Sequence, residues 1–188
     1  LQGMCRAYAT QCPASDVMEY AIQAEMRCTG CGATRNPVPE HELIAKLAVP
    51  NSYCLQTAID LWLAPEILHD VACPTCQSQT FGKTKQLVLA PSVFILQLKI
   101  FNSNGTKKVQ PLRRNAGSTV KVGIHDYHIF AVVTHAGASL MNGHYMSYTE
   151  KNAVWVCFDD DNVMRNKHWQ TDDGQQENET PYIFFLRR

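Results

Sequence analysis

The chain has 188 residues, and its 17 Lys+Arg balance 17 Asp+Glu, so the formal net charge is zero. Hydrophobic residues make up 45% and charged residues 18%, which excludes disorder, collagen and coiled coil and suffices for one core or two small ones. Zero net charge without a Lys/Arg run argues against a phosphate-backbone binder, so no nucleic acid partner is expected.

No membrane partner is expected either. The longest apolar stretch, Leu87 to Leu96, is broken by Pro91 and Ser92, and a spanning helix needs about 20 residues. No secretory h-region opens the chain. Leu1 is not an initiator Met, which suggests a fragment or a processed form. The eight Cys then read as reduced thiols or metal ligands of a cytoplasmic or nuclear protein. The sequons at Asn104 and Asn178 read as accidental.

In chain order, Asp16 with Glu19 three positions on predicts a capped helix, with Val17, Met18, Ala21, Ile22 and Met26 as its apolar side. Pro37, Pro39 and Pro50 mark loops or short edge strands. A second helix is predicted from about Tyr53 to Leu63, with Leu55, Ala58, Ile59 and Trp62 on one face, ending before Pro65. From Lys85 onward the signal is β: residues 86–90, 92–101, 127–134, 144–149, 153–158 and 181–186 read as strands. Asn102 to Gly105 is a turn signal, and the stretch from Asp172 to Thr180 reads as a solvated loop. The sum is an α+β chain with a largely antiparallel sheet, a helical N-terminal portion and a Cys-bearing insertion.

Two C-x-x-C pairs carry the first chemical signal: Cys28 with Cys31, and Cys73 with Cys76. Each pair makes a knuckle that turns two thiolates to one side, and two knuckles complete a tetrahedral shell. That is the closed geometry of structural Zn²⁺, with no open coordination position. Gly30, Gly32 and Pro74 suit such turns. A redox motif or free thiols are the other reading. A redox motif, however, expects one C-x-x-C beside a βαβ pattern. Knuckles so far apart in sequence predict neighbouring strands clipped together by the metal. Cys157 and Cys54 read as core and helix-face residues, and Cys5 and Cys12 have no activating neighbour.

The second signal is His135 and His144. A strand ends, a small-residue loop turns, and Gly143 delivers His144 at the start of the next strand. Further on, Asp159, Asp160 and Asp161 end an apolar strand. If the two strands are neighbours, a carboxylate can orient His144, as in Cys-His-Asp or Ser-His-Asp hydrolases. Spacing alone is a weak signal, and a hydrogen-bonded His at a strand start beside a polar turn fits it better. The Asp run lacks the Gly and closing Glu of a calcium loop.

Together these segments resemble the ubiquitin-specific proteases, a papain-like deubiquitinating family. Gly143-His144-Tyr145, preceded by residues 130–137, resembles the family's His box. Trp155, Phe158, Asp159, Asp160 and Val163 match its W-x-x-F-D-D-x-x-V segment. Residues 181–185 are similar to its closing strand, and residues 91–101 to its P-x-x-L-x-L-K-R-F strand, with Ile100 in place of Arg. Asp16, Glu19 and Tyr20 are similar to the D-A-x-E-F box. The two Cys pairs match the zinc knuckles of the fingers. The family's G-N-T-C box, which holds the nucleophile, has no counterpart, and Cys5 and Cys12 do not match it.

The resemblance implies a thumb, palm and fingers fold within one incomplete catalytic domain. Residues 1–26 would be a remnant of a helical thumb, residues 27–85 the fingers with structural zinc on Cys28, Cys31, Cys73 and Cys76, and residues 86–188 an antiparallel palm. It implies thiol-dependent hydrolysis after the C-terminal Gly of ubiquitin. His144 would be the base, Asp159 the orienter, and Asp160 its fallback or a helper. Gly143 and Tyr145 would line the channel for the substrate tail, flanked by the loop from Gly137 to Asn142 and the turn from Asn102 to Lys108. Ubiquitin or a ubiquitinated protein would be the partner, with room for an activating protein. The other reading is an inactive relative that binds ubiquitin or another partner without cleaving.

Overall fold

The computed structural model describes residues 13–49, 54–108, 118–169 and 179–188. Leu1, Gln2, Cys5, Cys12 and most of the stretch from Asp172 to Thr180 lie outside them.

The first described element is α1 (Pro13–Met18), with Pro at the first helical position, where a missing N–H costs nothing. The helix predicted from Asp16 through Met26 does not form. Asp16 sits inside α1, and Tyr20–Cys28 is strand β1. Its second half alternates strictly: Ile22, Ala24, Met26 and Cys28 face one way, and Gln23, Glu25 and Arg27 the other. That period of two overrides the capping signature upstream.

Short strands β2 (Thr34–Arg35) and β3 (Glu40–Glu42) follow, then β4 (Ile44–Leu47). Helix α2 (Leu55–Leu63) buries Leu55, Ala58 and Ile59, as its spacing predicts. Its N-cap is Cys54, whose thiol accepts from the Thr57 N–H at 3.4 Å. It stops at Ala64, which is extended (ψ 148°) because Pro65 disfavours the helical region there. Strands β5 (Glu66–Leu68), β6 (Phe81–Leu89) and β7 (Val93–Leu98) come next. They are followed by β8 (Thr119–Val122), β9 (His125–Ser139), β10 (Asn142–Lys151), β11 (Val154–Asp159), β12 (Asn162–Arg165) and β13 (Thr180–Arg187).

These strands form two sheets. The smaller has five, in the order β2-β1-β6-β5 with β3 also on β1. The larger has eight, in the order β12-β11-β10-β9-β13-β7-β4 with β8 on β9. All pairings are antiparallel except β4 with β7, where Ala45 and Leu47 are fully buried. The expected loop from Gly137 to Asn142 shrinks to Leu140 and Met141, because β9 runs through to Ser139.

The main core joins α2, the start of β1 and the inner face of the large sheet. Phe94 centres an aromatic group, stacked on Tyr20 at 5.0 Å and edge-on to Tyr127 at 5.6 Å. Such pairs contribute about 0.5–1.5 kcal/mol beyond area burial. The Gln56 side-chain amide pairs with both backbone groups of Lys121, at 2.9 and 2.8 Å, and so ties α2 to β8. A separate small core of Cys28, Cys73 and Phe81 closes the far end of the small sheet. Glu179, expected in a solvated loop, is buried: Tyr148 donates its hydroxyl to the carboxylate at 2.8 Å.

Candidate active site and cysteine cluster

Strands β10 and β11 pair from Ser147–Phe158 to Lys151–Val154. The alternation puts Tyr148 and Met146 on the same face as Cys157, and continues outward to His144 and Asp159. The structure brings those two together: His144 Nε2 and Asp159 Oδ1 are 2.5 Å apart. Their side chains are 33% and 23% exposed, so the pair sits at the rim of the buried face. The hydrogen bond to Asp159 leads in holding the imidazole above its ordinary range, and the Asp160 and Asp159 charges add to it. With Nε2 committed to Asp159, Nδ1 is the nitrogen left to face a reactant.

Asp160 begins the turn into β12 with φ 48°, a left-handed conformation that Asp tolerates. It is exposed, and one of its oxygens lies within 4.8 Å of the His144 and Asp159 ligand atoms. Gly143 is exposed at a bulge in the β9–β10 ladder, where the pairing jumps from His144–Ala136 to Asn142–Ser139. Tyr145 is 46% exposed, and its ring lies 4.8 Å from that of His135.

Three buried groups around this site were not assigned a role from sequence. His135 is 1% exposed, and its ring also meets Phe101 at 5.2 Å. Desolvation, then the Lys107 charge, pushes the His135 imidazole below its ordinary range. Lys107 is 7% exposed and donates its Nζ to the His135 carbonyl at 2.5 Å. Burial pushes its ammonium down to about 8, against the pull of Glu179. Its backbone N–H donates to the Ala138 carbonyl at 2.8 Å, and Leu140 N–H donates to the Gly105 carbonyl at 2.8 Å. The 102–108 turn is thereby strapped to the β9–β10 hairpin beside the site.

At the other end of the molecule, Cys28, Cys31, Cys73 and Cys76 lie close together, as in a zinc site, with all sulfurs within 4.8 Å of one another. Cys28 to Cys76 is 3.6 Å and Cys31 to Cys73 is 3.7 Å. A tetrahedron with Zn–S of about 2.3 Å has edges of about 3.8 Å, so the shell has the right size. The knuckles repeat one backbone pattern. Gly32 N–H donates to Cys28 O and Gln77 N–H to Cys73 O, each at 3.0 Å. Gly32 (φ 75°) and Gln77 (φ 63°) occupy the same left-handed position in their knuckles. A Cβ on Gly30 would lie 3.1 Å from Cys76 Sγ, so that glycine allows the knuckles to meet. The Cys31 N–H leads in lowering the Cys28 thiol to about 6. Cys76 is raised to about 12 despite a hydrogen bond from Ser78, because the other sulfurs crowd it. Arg35 covers this end, donating to the Ala72 carbonyl at 2.9 Å with its guanidinium 4.8 Å above the Phe81 ring.

A family model described as Ubiquitin carboxyl-terminal hydrolase matches residues 5–186. The chain belongs to the ubiquitin carboxyl-terminal hydrolase family. Ubiquitin carboxyl-terminal hydrolase 20 of Arabidopsis thaliana is 28% identical over 191 residues, covering 92% of this chain and 26% of that protein. Ubiquitin carboxyl-terminal hydrolase 46 of Caenorhabditis elegans is 26% identical over 169 residues, covering 79% of this chain and 38% of that protein. The chain thus spans well under half the length of these relatives. Among solved structures, Ubp8 in the SAGA DUB module bound to monoubiquitin superposes with TM-score 0.77 at 21% identity, over 94% of this chain and 42% of that one. A yeast SAGA DUB module structure gives 0.78 at 21% identity, over 99% and 44%. The α+β fold of this ubiquitin carboxyl-terminal hydrolase family member is accordingly that of the ubiquitin-specific proteases. No helix among the described residues is long and apolar enough to cross a membrane.

Proposed function

We propose that the protein containing this chain is a thiol-dependent deubiquitinase, cleaving after the C-terminal Gly of ubiquitin. The observation that carries the reading is the 2.5 Å contact between His144 Nε2 and Asp159 on adjacent strands, with Nδ1 left open. A cysteine thiolate attacks the scissile carbonyl and a C–S bond forms. His144 Nδ1 holds the thiol's proton and passes it to the leaving amine as the C–N bond breaks. Water, deprotonated by the same nitrogen, then hydrolyses the thioester. Asp159 orients the ring through Nε2 and stabilises the imidazolium, with Asp160 beside it. Gly143 gives the substrate tail a path with no side chain in it, and Tyr145 walls the channel.

The nucleophile is not among the described cysteines. Cys157 is fully buried, and burial pushes its thiol up. The other reading is a module that binds ubiquitin without cleaving it.

Cys28, Cys31, Cys73 and Cys76 would hold Zn²⁺, which supplies charge balance and a cross-link but no reactive position. We assign the small sheet to the fingers, starting at Tyr20 rather than residue 27, and the large sheet to the palm. The free cysteines favour a reducing compartment, cytosol or nucleus. That the Ubp8 structures are assemblies with Sgf11, Sus1 and Sgf73 supports an activating partner here too.

The test is a ubiquitin probe with a thiol-reactive C-terminus, applied to the full-length protein. Covalent labelling that His144→Ala abolishes is the expected result. Reversible ubiquitin binding without labelling would overturn the protease reading in favour of the binding module.

A further inference from the structure

We propose that His135 is a positioning residue: the edge of its buried ring is the floor on which the Gly143 bulge rests, and through that bulge it aims His144 at Asp159. The proposal rests on the reading of His144 as the catalytic base.

The geometry comes from the break in the β9–β10 ladder. Tyr145 pairs with His135 and His144 with Ala136, but the next pair is Asn142 with Ser139. Gly143 is thus the residue at which the ladder slips, immediately before the imidazole. A Cβ at Gly143 would lie 2.0 Å from His135 Nε2, 2.6 Å from its Cε1 and 2.6 Å from the Ala136 carbonyl oxygen. The backbone of Gly143 therefore lies directly on the ring edge. Gly137, with φ 132°, admits this approach from the other strand: a Cβ there would lie 2.8 Å from Gly143 Cα.

The ring itself is fixed. It is 1% exposed, wedged between Phe101 and Tyr145, and its carbonyl is gripped by Lys107. Its Nδ1 has no hydrogen-bond partner among the described residues. A buried imidazole with an idle nitrogen contributes by its shape rather than by its protons. Removing the ring edge leaves Gly143 without support, and the residue that follows it loses its aim.

Two variants of the full-length protein separate this from passive core filling. His135→Leu keeps the apolar bulk but removes the ring edge, whereas His135→Phe keeps a flat ring and removes both nitrogens. For His135→Leu, kcat on a ubiquitin C-terminal amide should fall about tenfold or more with KM within twofold, and the His144 titration followed by NMR should drop toward pH 6.5. His135→Phe should restore both. A folded His135→Leu with the native His144 titration overturns the proposal, as does a His135→Phe that fails to restore it. If His135→Leu does not fold, the wild-type protein decides. A cross-peak between the His135 ring and the Gly143 α-protons, with His135 staying neutral while His144 gains its proton, supports the proposal. A missing cross-peak or joint titration overturns it. The NMR arm needs no turnover, so a wild-type protein that fails to hydrolyse ubiquitin conjugates would defeat the protease reading while leaving the positioning result intact.

Discussion

His144 and Asp159 reach each other across two strands that have stopped pairing. The last β10–β11 pair is Ser147–Phe158, and the 2.5 Å contact lies beyond it, where the alternation still holds but the ladder does not. The hydrogen bond thus replaces the ladder as the link between the strand ends. Asp159→Asn keeps the shape and removes the charge. It should lower kcat of the full-length protein by about 10²- to 10⁴-fold on a ubiquitin C-terminal amide. A loss below threefold would contradict the orienting role.

The same pair sets a pH dependence. The folded His144 titrates above its unfolded value of about 6.5. Its contribution is therefore complete below pH 6.5 and is lost as pH rises through the folded value. Wild type should exceed Asp159→Asn in stability most clearly below pH 6.5, with the gap closing as pH rises above that value. Urea denaturation across that range measures it. A gap that widens with rising pH would contradict the assignment.

Metal analysis should return one zinc per chain, lost in Cys73→Ser. Removing one ligand breaks a cross-link between β1 and the β5–β6 connection. A loss of roughly 3 kcal/mol or more would lower Tm by at least about 6 °C at this chain length. Hydrogen exchange should speed up first at the Cys28–Phe81 end of the small sheet, the pair nearest the knuckles. A metal-free sample with native Tm would contradict the zinc reading.

Tyr148→Phe removes the one side-chain hydrogen bond that the buried Glu179 carboxylate accepts among the described residues. It should cost about 1–3 kcal/mol, because a buried acceptor is left without a donor. Glu179→Leu in the same background should recover part of that loss, since both partners are then apolar. Thermal melts of the two variants decide it.

How much of this was legible depended on whether the signal was local. Helix α2 was, because Leu55, Ala58 and Ile59 repeat at helical spacing and Pro65 stops them. The two C-x-x-C pairs were legible because a tight knuckle turn fixes the spacing within each. Strand β1 was not: Asp16 and Glu19 imitate a capping box, and the alternation from Ile22 to Cys28 is masked by the apolar Tyr20 and Ala21 before it. The pairing of His144 with Asp159 was legible only as a wager on neighbouring strands. The burial of Lys107, His135 and Glu179 was not legible at all. Each owes its environment to residues far away in sequence, and nothing near Lys107 in the chain distinguishes it from the exposed lysines.

The strand order carries a consequence for synthesis. β13 follows β4, β7 and β8 through β12 in the chain, yet it lies between β9 and β7 in the middle of the large sheet. On the ribosome, β4 with β7 and β8 through β12 can assemble only as separate halves with apolar edges facing one another. Until residues 180–187 leave the exit tunnel, the two halves have no common neighbour. Until β13 joins them, the facing edges of β7 and β9 are unpaired, and an unpaired strand edge is a template for wrong association.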